Sequence, residues 1–234
     1  MKNLDFITNN MIMHRGFFDN ERIVENTVKA FKKANSNNHP YEFDVRLTKD
    51  EKVIVFHDDT LKRLSGINKK VSDMTYDELK DIKLLNIGSI PLLEDVLKLD
   101  NKNGIIIEIK NDDNNMLIVD KVLELLKNYK GKYSIISFNK NTLKYIRTKN
   151  KDIILGLLIG LRKEKPFEGF SNKFFIKTFK PDFLSVNKRN IDYKYIKKYK
   201  KNNPVLIWTI KTREDFTKYK DKGTSLVLEN INMI

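Results

Sequence analysis

Acidic residues spaced two apart are the clearest candidates for chemistry. Glu42 and Asp44 lie on a predicted strand, so both side chains point to one face of it. Glu108 and Lys110 repeat this geometry on a later strand that is otherwise isoleucine-rich. Three carboxylates on one face suit a hard divalent cation, Ca2+ or Mg2+, and the chain has no cysteine that would favour zinc. Alternatively, Glu108 pairs only with Lys110, while Glu42 and Asp44 form the solvent side of an edge strand.

Two of the three histidines follow predicted extended segments. His14 precedes Arg15 at the end of the first strand, and His57 precedes Asp58 at the end of another extended run. If the strands are parallel, these are the carboxyl ends at which a barrel carries its catalytic groups. A histidine in such a place can also be a packed structural residue. His39 precedes the second strand, at the opposite end, and receives no role.

The elements that must position these residues alternate between strand and helix along the whole chain. Eight strands are predicted, at Asn10–His14, Tyr41–Leu47, Ile105–Lys110, Tyr133–Phe138, Ile153–Ile159, Phe183–Val186, Val205–Ile210 and Ser225–Leu228. Helices are predicted at Glu25–Asn35, Leu92–Leu99, Met116–Tyr129, Asn139–Thr148, Asn172–Phe179, Tyr193–Lys200 and Arg213–Lys220. This pattern predicts a parallel TIM (β/α)8 barrel.

Two regions depart from the plain repeat. The extended run Val53–His57 and the long stretch from Asp58 to Pro91 predict an excursion after the second strand, on the catalytic face. The last predicted strand is followed by only a few residues, so we expect the eighth helix to be missing or truncated. No linker divides the sequence, and residues 1–234 are expected to form a single domain.

Composition narrows the class of partner. Lys and Arg total 45 against 31 for Asp and Glu, a net charge of +14, which favours anionic partners. The lysines are scattered, however, and many lie on predicted helix faces, so a Lys- and Asn-rich coding bias is favoured over a dedicated nucleic-acid surface, for which no recognition motif is present. The first thirteen residues lack a secretory apolar run, and the longest apolar stretch, Ile153–Leu161, is too short to span a bilayer. These features predict a cytoplasmic protein, although a leader removed earlier would leave no trace.

Five sequence blocks, taken in order, resemble the signature of the glycerophosphodiester phosphodiesterase family. They are His14-Arg15-Gly16, Glu25-Asn26-Thr27, Glu42-Phe43-Asp44 with Thr48-Lys49-Asp50, His57-Asp58 and Glu108-Ile109-Lys110. The resemblance implies metal-dependent hydrolysis of glycerophosphodiesters, in glycerol and lipid metabolism. It also implies ligand roles for Glu42, Asp44 and Glu108, an acid–base role for His14 and His57, and phosphate contacts for Arg15 and Lys110.

Further residues are expected to support these roles. Glu25 and Asn26 would orient Arg15 or the metal site, unless they only mark the start of a helix. Phe138 and Trp208, at strand ends, would form an apolar wall beside the substrate, although core packing explains them almost as well. The sequence departs from the family pattern at positions outside the proposed catalytic set: Val24, Glu51, Lys211 and Glu229.

Two alternative functions remain at this stage. A related phosphodiesterase could act on a lysophospholipid or another lipid phosphodiester, for which an apolar lip would be needed. Phenylalanines of the fifth βα region could provide it: Phe167, Phe170, Phe174 and Phe175. A catalytically silent, anion-binding barrel is less favoured, because every proposed ligand and proton-transfer residue is present. The sequence predicts no oligomeric state.

Overall fold

A computed structural model describes residues 2–8, 10–110, 115–160 and 168–229. It contains nine strands: β1 (Met11–Met13), β2 (Tyr41–Leu47), β3 (Val53–Val55), β4 (Ile105–Ile109), β5 (Tyr133–Ser137), β6 (Ile154–Ile159), β7 (Phe183–Asn187), β8 (Val205–Ile210) and β9 (Ser225–Leu228). All except β3 pair in parallel, in the order β1-β9-β8-β7-β6-β5-β4-β2, and β1 returns to β2 to close the ring. The predicted TIM barrel is confirmed.

Helices connect successive strands on the outside of the ring. Within the described ranges they are α1 (Val28–Ser36), α2 (Lys62–Ser65), α3 (Tyr76–Leu79), α4 (Leu93–Leu97), α5 (Asn115–Leu126), α6 (Lys140–Lys149), α7 (Glu168–Phe179), α8 (Lys194–Lys200) and α9 (Arg213–Tyr219). Across these segments, no helix combines the length and apolar character needed to cross a bilayer. The expected loss of the eighth helix concerns residues beyond Glu229, which lie outside the described part of the chain.

The first helix starts later than its apolar pattern predicts. Asn26 adopts a left-handed conformation with φ of 55°, which cannot continue into a right-handed helix. The side chain of Thr27 then accepts a hydrogen bond from the Ala30 backbone N–H, which caps α1. Glu25 and Asn26 therefore belong to the loop before the helix, where their side chains are free to turn toward the barrel mouth.

The inward-facing side chains of the strands are apolar toward the barrel base and polar toward its mouth. Inward side chains in the lower barrel form one buried cluster: Ile12, Ile106, Ile136, Leu158, Phe183, Leu206 and Val227. Phe6 and Ile7, on a short 3-10 helix before β1, close this cluster from below. Gly156 leaves room for the ring of Phe183, which a Cβ atom would strike. The base is thus packed solid, and any substrate must enter at the other end.

The excursion after β2, residues 53–91, folds into a packed unit over the barrel mouth, which we call the cap. Its strand β3 pairs antiparallel with β2 outside the ring, Val45 lying opposite Val55. A second apolar cluster stabilises it, made of Val24, Ile54, Phe56, Leu61, Leu64, Val71, Met74, Leu79, Leu84 and Ile90. The predicted extended run was too long, since β3 ends at Val55 and His57 follows it in a loop. Because the cap is anchored on β2, His57 is held over the mouth.

Candidate active site

A cavity of about 1060 Å³ opens at the carboxyl ends of the strands. Its lining includes most of the predicted site residues, namely His14, Arg15, Glu42, His57, Glu108, Lys110, Phe138 and Trp208. Asp44, Glu25 and Asn26 lie just behind this surface and are almost fully buried. His39, to which no role was given, is absent from the lining. The structure therefore brings the whole predicted set together at one end of the barrel.

Three carboxylates form a buried acidic triad, composed of Glu42, Asp44 and Glu108. The parallel register places Asp44 directly beside Glu108 on the neighbouring strand, and one oxygen from each of the three lies within 4.8 Å of the others. Their exposures of 3%, 0% and 7% exclude the alternative that Glu42 and Asp44 face solvent on an edge strand. All three point into the barrel mouth.

Neighbouring donors satisfy part of this negative charge. The Lys110 ammonium lies 2.8 Å from Glu108 Oε1 and 3.2 Å from Asp44 Oδ1. The predicted alternative of a Glu108–Lys110 ion pair is therefore present, and it includes Asp44. The Asn26 side chain donates to Asp44 Oδ2 at 2.9 Å, and the Arg15 backbone N–H donates to Glu42 Oε2 at 3.2 Å.

The remaining negative charge of the triad suits a cation. Burial, with Asp44 and Glu108 close by, raises the pKa of Glu42 well above its usual range. Burial likewise raises the pKa of Glu108, whereas the pKa of Asp44 is lowered because Lys110 and Arg15 outweigh its burial. Glu42 Oε1 is buried and has no hydrogen-bond partner among the described residues. An oxygen-only donor set with an orphaned carboxylate oxygen fits a hard divalent cation.

His14 lies beside a residue that stood out in the sequence only as a departure from the family pattern. Its backbone N–H donates to Leu228 on β9 at 2.8 Å, and its Nδ1 lies 3.3 Å from Glu229 Oε2. Lys211 also reaches Glu229, at 2.8 Å. Burial lowers the pKa of His14. Burial alone would raise the pKa of Glu229, but the contacts with His14 and Lys211 outweigh it and lower that pKa to about 2. The sequence signal for Glu229 was its position directly after the last strand. Closure of the barrel puts the end of that strand next to the end of the first strand, where His14 lies.

His57 is held from two directions. Its Nδ1 lies 2.6 Å from Asp58 Oδ1, and Arg46 Nε donates to its backbone carbonyl at 3.0 Å. The contact with Asp58 fixes the ring and leaves the other ring nitrogen, Nε2, for the cavity.

Arg63, on α2 of the cap, links two carboxylates of the site: Asp58, which contacts His57, and Glu25, which contacts Arg15. It donates to Glu25 at 2.7 and 2.9 Å and to Asp58 at 2.6 Å. Glu25 in turn accepts from Arg15 Nη1 at 2.7 Å. Against the effect of burial, Arg63 and Arg15 lower the pKa of Glu25 to about 2. Sequence reasoning missed Arg63, whose only signal was a position six residues after His57 in the excursion.

Local backbone geometry turns Arg15 toward this network. Arg15 and Gly16 both have positive φ, 54° and 83°. A Cβ atom on Gly16 would lie 2.8 Å from the Cβ of Ala30, so α1 can approach this turn closely only at a glycine. The turn directs the Arg15 guanidinium to Glu25, with Nε 3.5 Å from Asp44 Oδ2.

Phe138 and Trp208 form an aromatic wall on the far side of the mouth. Their rings meet edge to face, with centroids 5.8 Å apart and an interplanar angle of 85°. Phe138 is 41% exposed, and Trp208 Nε1 has no hydrogen-bond partner within the described segments. Both rings line the cavity above its apolar base, and their role as a wall beside a substrate stays a prediction.

Fold and site together define a class: a (β/α)8 barrel whose mouth combines a cation-ready acidic triad, two histidines and two cationic side chains. The family model of the glycerophosphoryl diester phosphodiesterase family matches residues 14–228. The chain belongs to this family of phosphoric diester hydrolases.

Individual relatives agree with this assignment. A glycerophosphodiester phosphodiesterase of Caldanaerobacter subterraneus subsp. tengcongensis is 27% identical over 232 residues, which cover 93% of this chain and 92% of that protein. The crystal structure of a glycerophosphodiester phosphodiesterase from Thermotoga maritima superposes with a TM-score of 0.75 at 30% identity, covering 94% of each chain. Human lysophospholipase D GDPD1 is 35% identical over 144 residues, which cover 56% of this chain and 45% of that protein. The chain thus matches less than half the length of the human relative.

The Arg63 network generates a first prediction. In an Arg63→Gln variant, Glu25 and Asp58 lose their shared donor, so the carboxylates that orient Arg15 and His57 are held less firmly. We expect kcat/KM for a glycerophosphodiester to fall roughly 10–100-fold, as for other groups that orient catalytic residues. Arg22→Gln, which changes an exposed arginine nearby, is the matched control. Unchanged kinetics in the Arg63 variant would show that the network does not position these residues.

Proposed function

We propose that this protein hydrolyses glycerophosphodiesters to glycerol phosphate and an alcohol, with a divalent cation held by Glu42, Asp44 and Glu108. One observation supports this best: the buried triad and both histidines converge on one cavity in a member of this family. We further propose that residues 1–234 act as one domain in the cytoplasm, on a small substrate and not on nucleic acid.

Arg15 and Lys110 are assigned to the substrate phosphate. A phosphodiester transition state spreads negative charge over its oxygens, which a guanidinium fork and an ammonium stabilise. Glu25 and Asp44 hold Arg15, while Lys110 is held by Asp44 and Glu108, so neither cation needs to reorganise much when the substrate arrives. Bound to the triad, Ca2+ or Mg2+ would supply Lewis-acid stabilisation of the same charge.

His14 and His57 are assigned to proton transfer. One accepts the proton of the attacking hydroxyl, from the glycerol moiety or from water, as the new P–O bond forms. The other donates a proton to the leaving alkoxide as the old P–O bond breaks. Glu229 lies beside His14 and Asp58 lies beside His57, so each carboxylate can orient the neighbouring ring. If the attacker is the glycerol hydroxyl, the product is a cyclic phosphate that water then opens.

Removal of the cation is the direct test of the proposal. Turnover of glycerophosphocholine should be lost after exhaustive chelation and return with Ca2+ or Mg2+, and the more effective ion identifies the cofactor. Glu42→Gln and Glu108→Gln should each weaken calorimetric binding of that ion by at least about tenfold, because each removes a charged ligand. Glu21→Gln, at an exposed site, should not. Full turnover in the chelated enzyme would overturn the cation assignment.

The two histidines can be tested separately. His14→Ala and His57→Ala should each lower kcat roughly 10²–10⁴-fold while the fold persists, the scale of general acid–base catalysis. His39→Ala, on the opposite end of the barrel, is the control. A nitrophenyl ester of glycerol phosphate has a good leaving group, so it should rescue only the variant that lacks the acid. Near-normal kcat on an unactivated substrate would remove that histidine from the mechanism.

Specificity should reside in the glycerophosphate half of the substrate. Arg15, Lys110 and the triad lie where we place the phosphate and its neighbouring hydroxyls, whereas Phe138 and Trp208 offer aromatic faces to the alcohol. Glycerophosphocholine, glycerophosphoethanolamine and glycerophosphoglycerol should therefore react at similar rates. A glycol analogue without the middle hydroxyl should react far more slowly, because a buried partner is left unsatisfied. Strong preference among the three diesters, or normal cleavage of the analogue, would contradict this.

A lysophospholipase D activity is the second candidate, favoured by the match to the human enzyme of that name. Of the phenylalanines predicted to form its apolar lip, Phe170 and Phe174 are exposed, whereas Phe175 is 4% exposed and packs in the core. Phe167 lies outside the described residues. Rates on lysophosphatidylcholine and glycerophosphocholine, measured side by side, separate the two activities.

A further inference from the structure

Helix α7 turns two large aromatic side chains to solvent. Phe170 is 75% exposed and Phe174 is 63% exposed, and a spacing of four residues puts both on one face of the helix. The opposite face anchors α7 on the barrel, where Phe175 is buried and stacks on Phe179 with ring centroids 4.6 Å apart. Exposing two adjacent phenylalanines is unfavourable in water, so this face calls for a covering partner.

The same face is strongly basic. Lys173 and Lys177 are exposed and also spaced by four, alternating with Phe170 and Phe174 along the helix. Residues 169–180 include no acidic residue. Long lysine side chains can lay their methylenes beside apolar neighbours while the ammonium reaches outward. A partner that fits this face therefore has an anionic surface for the lysines and an apolar interior for the phenylalanine rings.

Helix α6 extends this basic face to the active-site mouth. Lys140 Nζ donates to Ser171 Oγ at 2.7 Å, which joins the starts of α6 and α7, and Lys140 also lines the active-site cavity. Lys144, one turn later, lies over the Phe175 ring at 5.9 Å. Like the α7 segment, residues 140–149 contain no acidic residue. The aromatic and basic surface is thus continuous with the mouth.

We propose that this α6–α7 face, comprising Lys140, Lys144, Phe170, Lys173, Phe174 and Lys177, docks on an anionic lipid bilayer. The phenylalanine rings enter the interface between head groups and acyl chains, and the lysines contact lipid phosphates. Docking in this way brings the barrel mouth to the membrane surface. The inference concerns binding alone and goes beyond the proposed hydrolysis.

Vesicle cosedimentation without substrate tests the surface independently of catalysis. The protein should bind vesicles of phosphatidylcholine mixed equally with phosphatidylglycerol, and should bind pure phosphatidylcholine much more weakly. Added salt should release it, because the lysine contribution is screened. Phe170→Ser with Phe174→Ser should lower the partition coefficient at least about tenfold. Lys173→Glu with Lys177→Glu should lower it by at least about as much, since each lysine near the surface contributes several-fold.

Matched controls separate this face from general charge and apolar exposure. Lys194→Glu with Lys198→Glu makes the same charge change at the same spacing on α8, and Ile87→Ser with Met116→Ser removes two other exposed apolar side chains. Both controls should keep at least about half of the wild-type binding. Circular dichroism verifies that every variant is folded.

Depth of insertion provides an independent readout. Trp208 is the only tryptophan, so Phe174→Trp in a Trp208→Phe background reports from α7 alone. Its emission should be quenched by brominated acyl chains in anionic vesicles, whereas Trp208 in the wild type should not be quenched. The proposal is overturned by equal binding to both kinds of vesicle, by controls that lose as much binding as the α7 variants, or by an unquenched Trp at position 174.

Discussion

The burial of three carboxylates within 4.8 Å of one another is the constraint on which the rest of the mouth depends. Like charges in a dry site repel strongly, and each also loses its hydration. Three donors from different segments of the chain offset this repulsion by contacting Asp44: Lys110, Arg15 and Asn26. Even so, one oxygen of Glu42 stays without a partner in the described residues. The triad therefore has the charge and the free oxygen to hold one further cation.

Such a site can exist only on a rigid support. The apolar base of the barrel fixes strand positions, and the parallel register then sets the distances between side chains on neighbouring strands. The cap adds a second support, since its own apolar cluster holds Arg63 and His57 in place over the mouth. Loops alone would lose more conformational entropy on ordering these charges than the contacts return.

Opposite sides of the mouth differ in character. One side carries His57, Arg63 and Glu25 in a network of charged hydrogen bonds. The other side carries Phe138 and Trp208 and continues into the basic, aromatic face of α7. A substrate whose phosphate lies in the charged half would direct its alcohol toward the aromatic half, and therefore toward the proposed membrane face.

The sequence by itself determined the barrel, most strand bounds and the members of the acidic triad, because strand periodicity is local and the chemical blocks are short. Only the tertiary structure decided which distant groups meet. Barrel closure sets Glu229 beside His14, and folding of the cap brings Arg63 to Glu25 across 38 positions of sequence. The start of α1 also needed the structure, since the apolar pattern runs through Asn26 although its backbone turns left-handed. Helical and strand periods report which face a residue occupies, but register, closure and long-range ion pairs depend on how separate elements pack together.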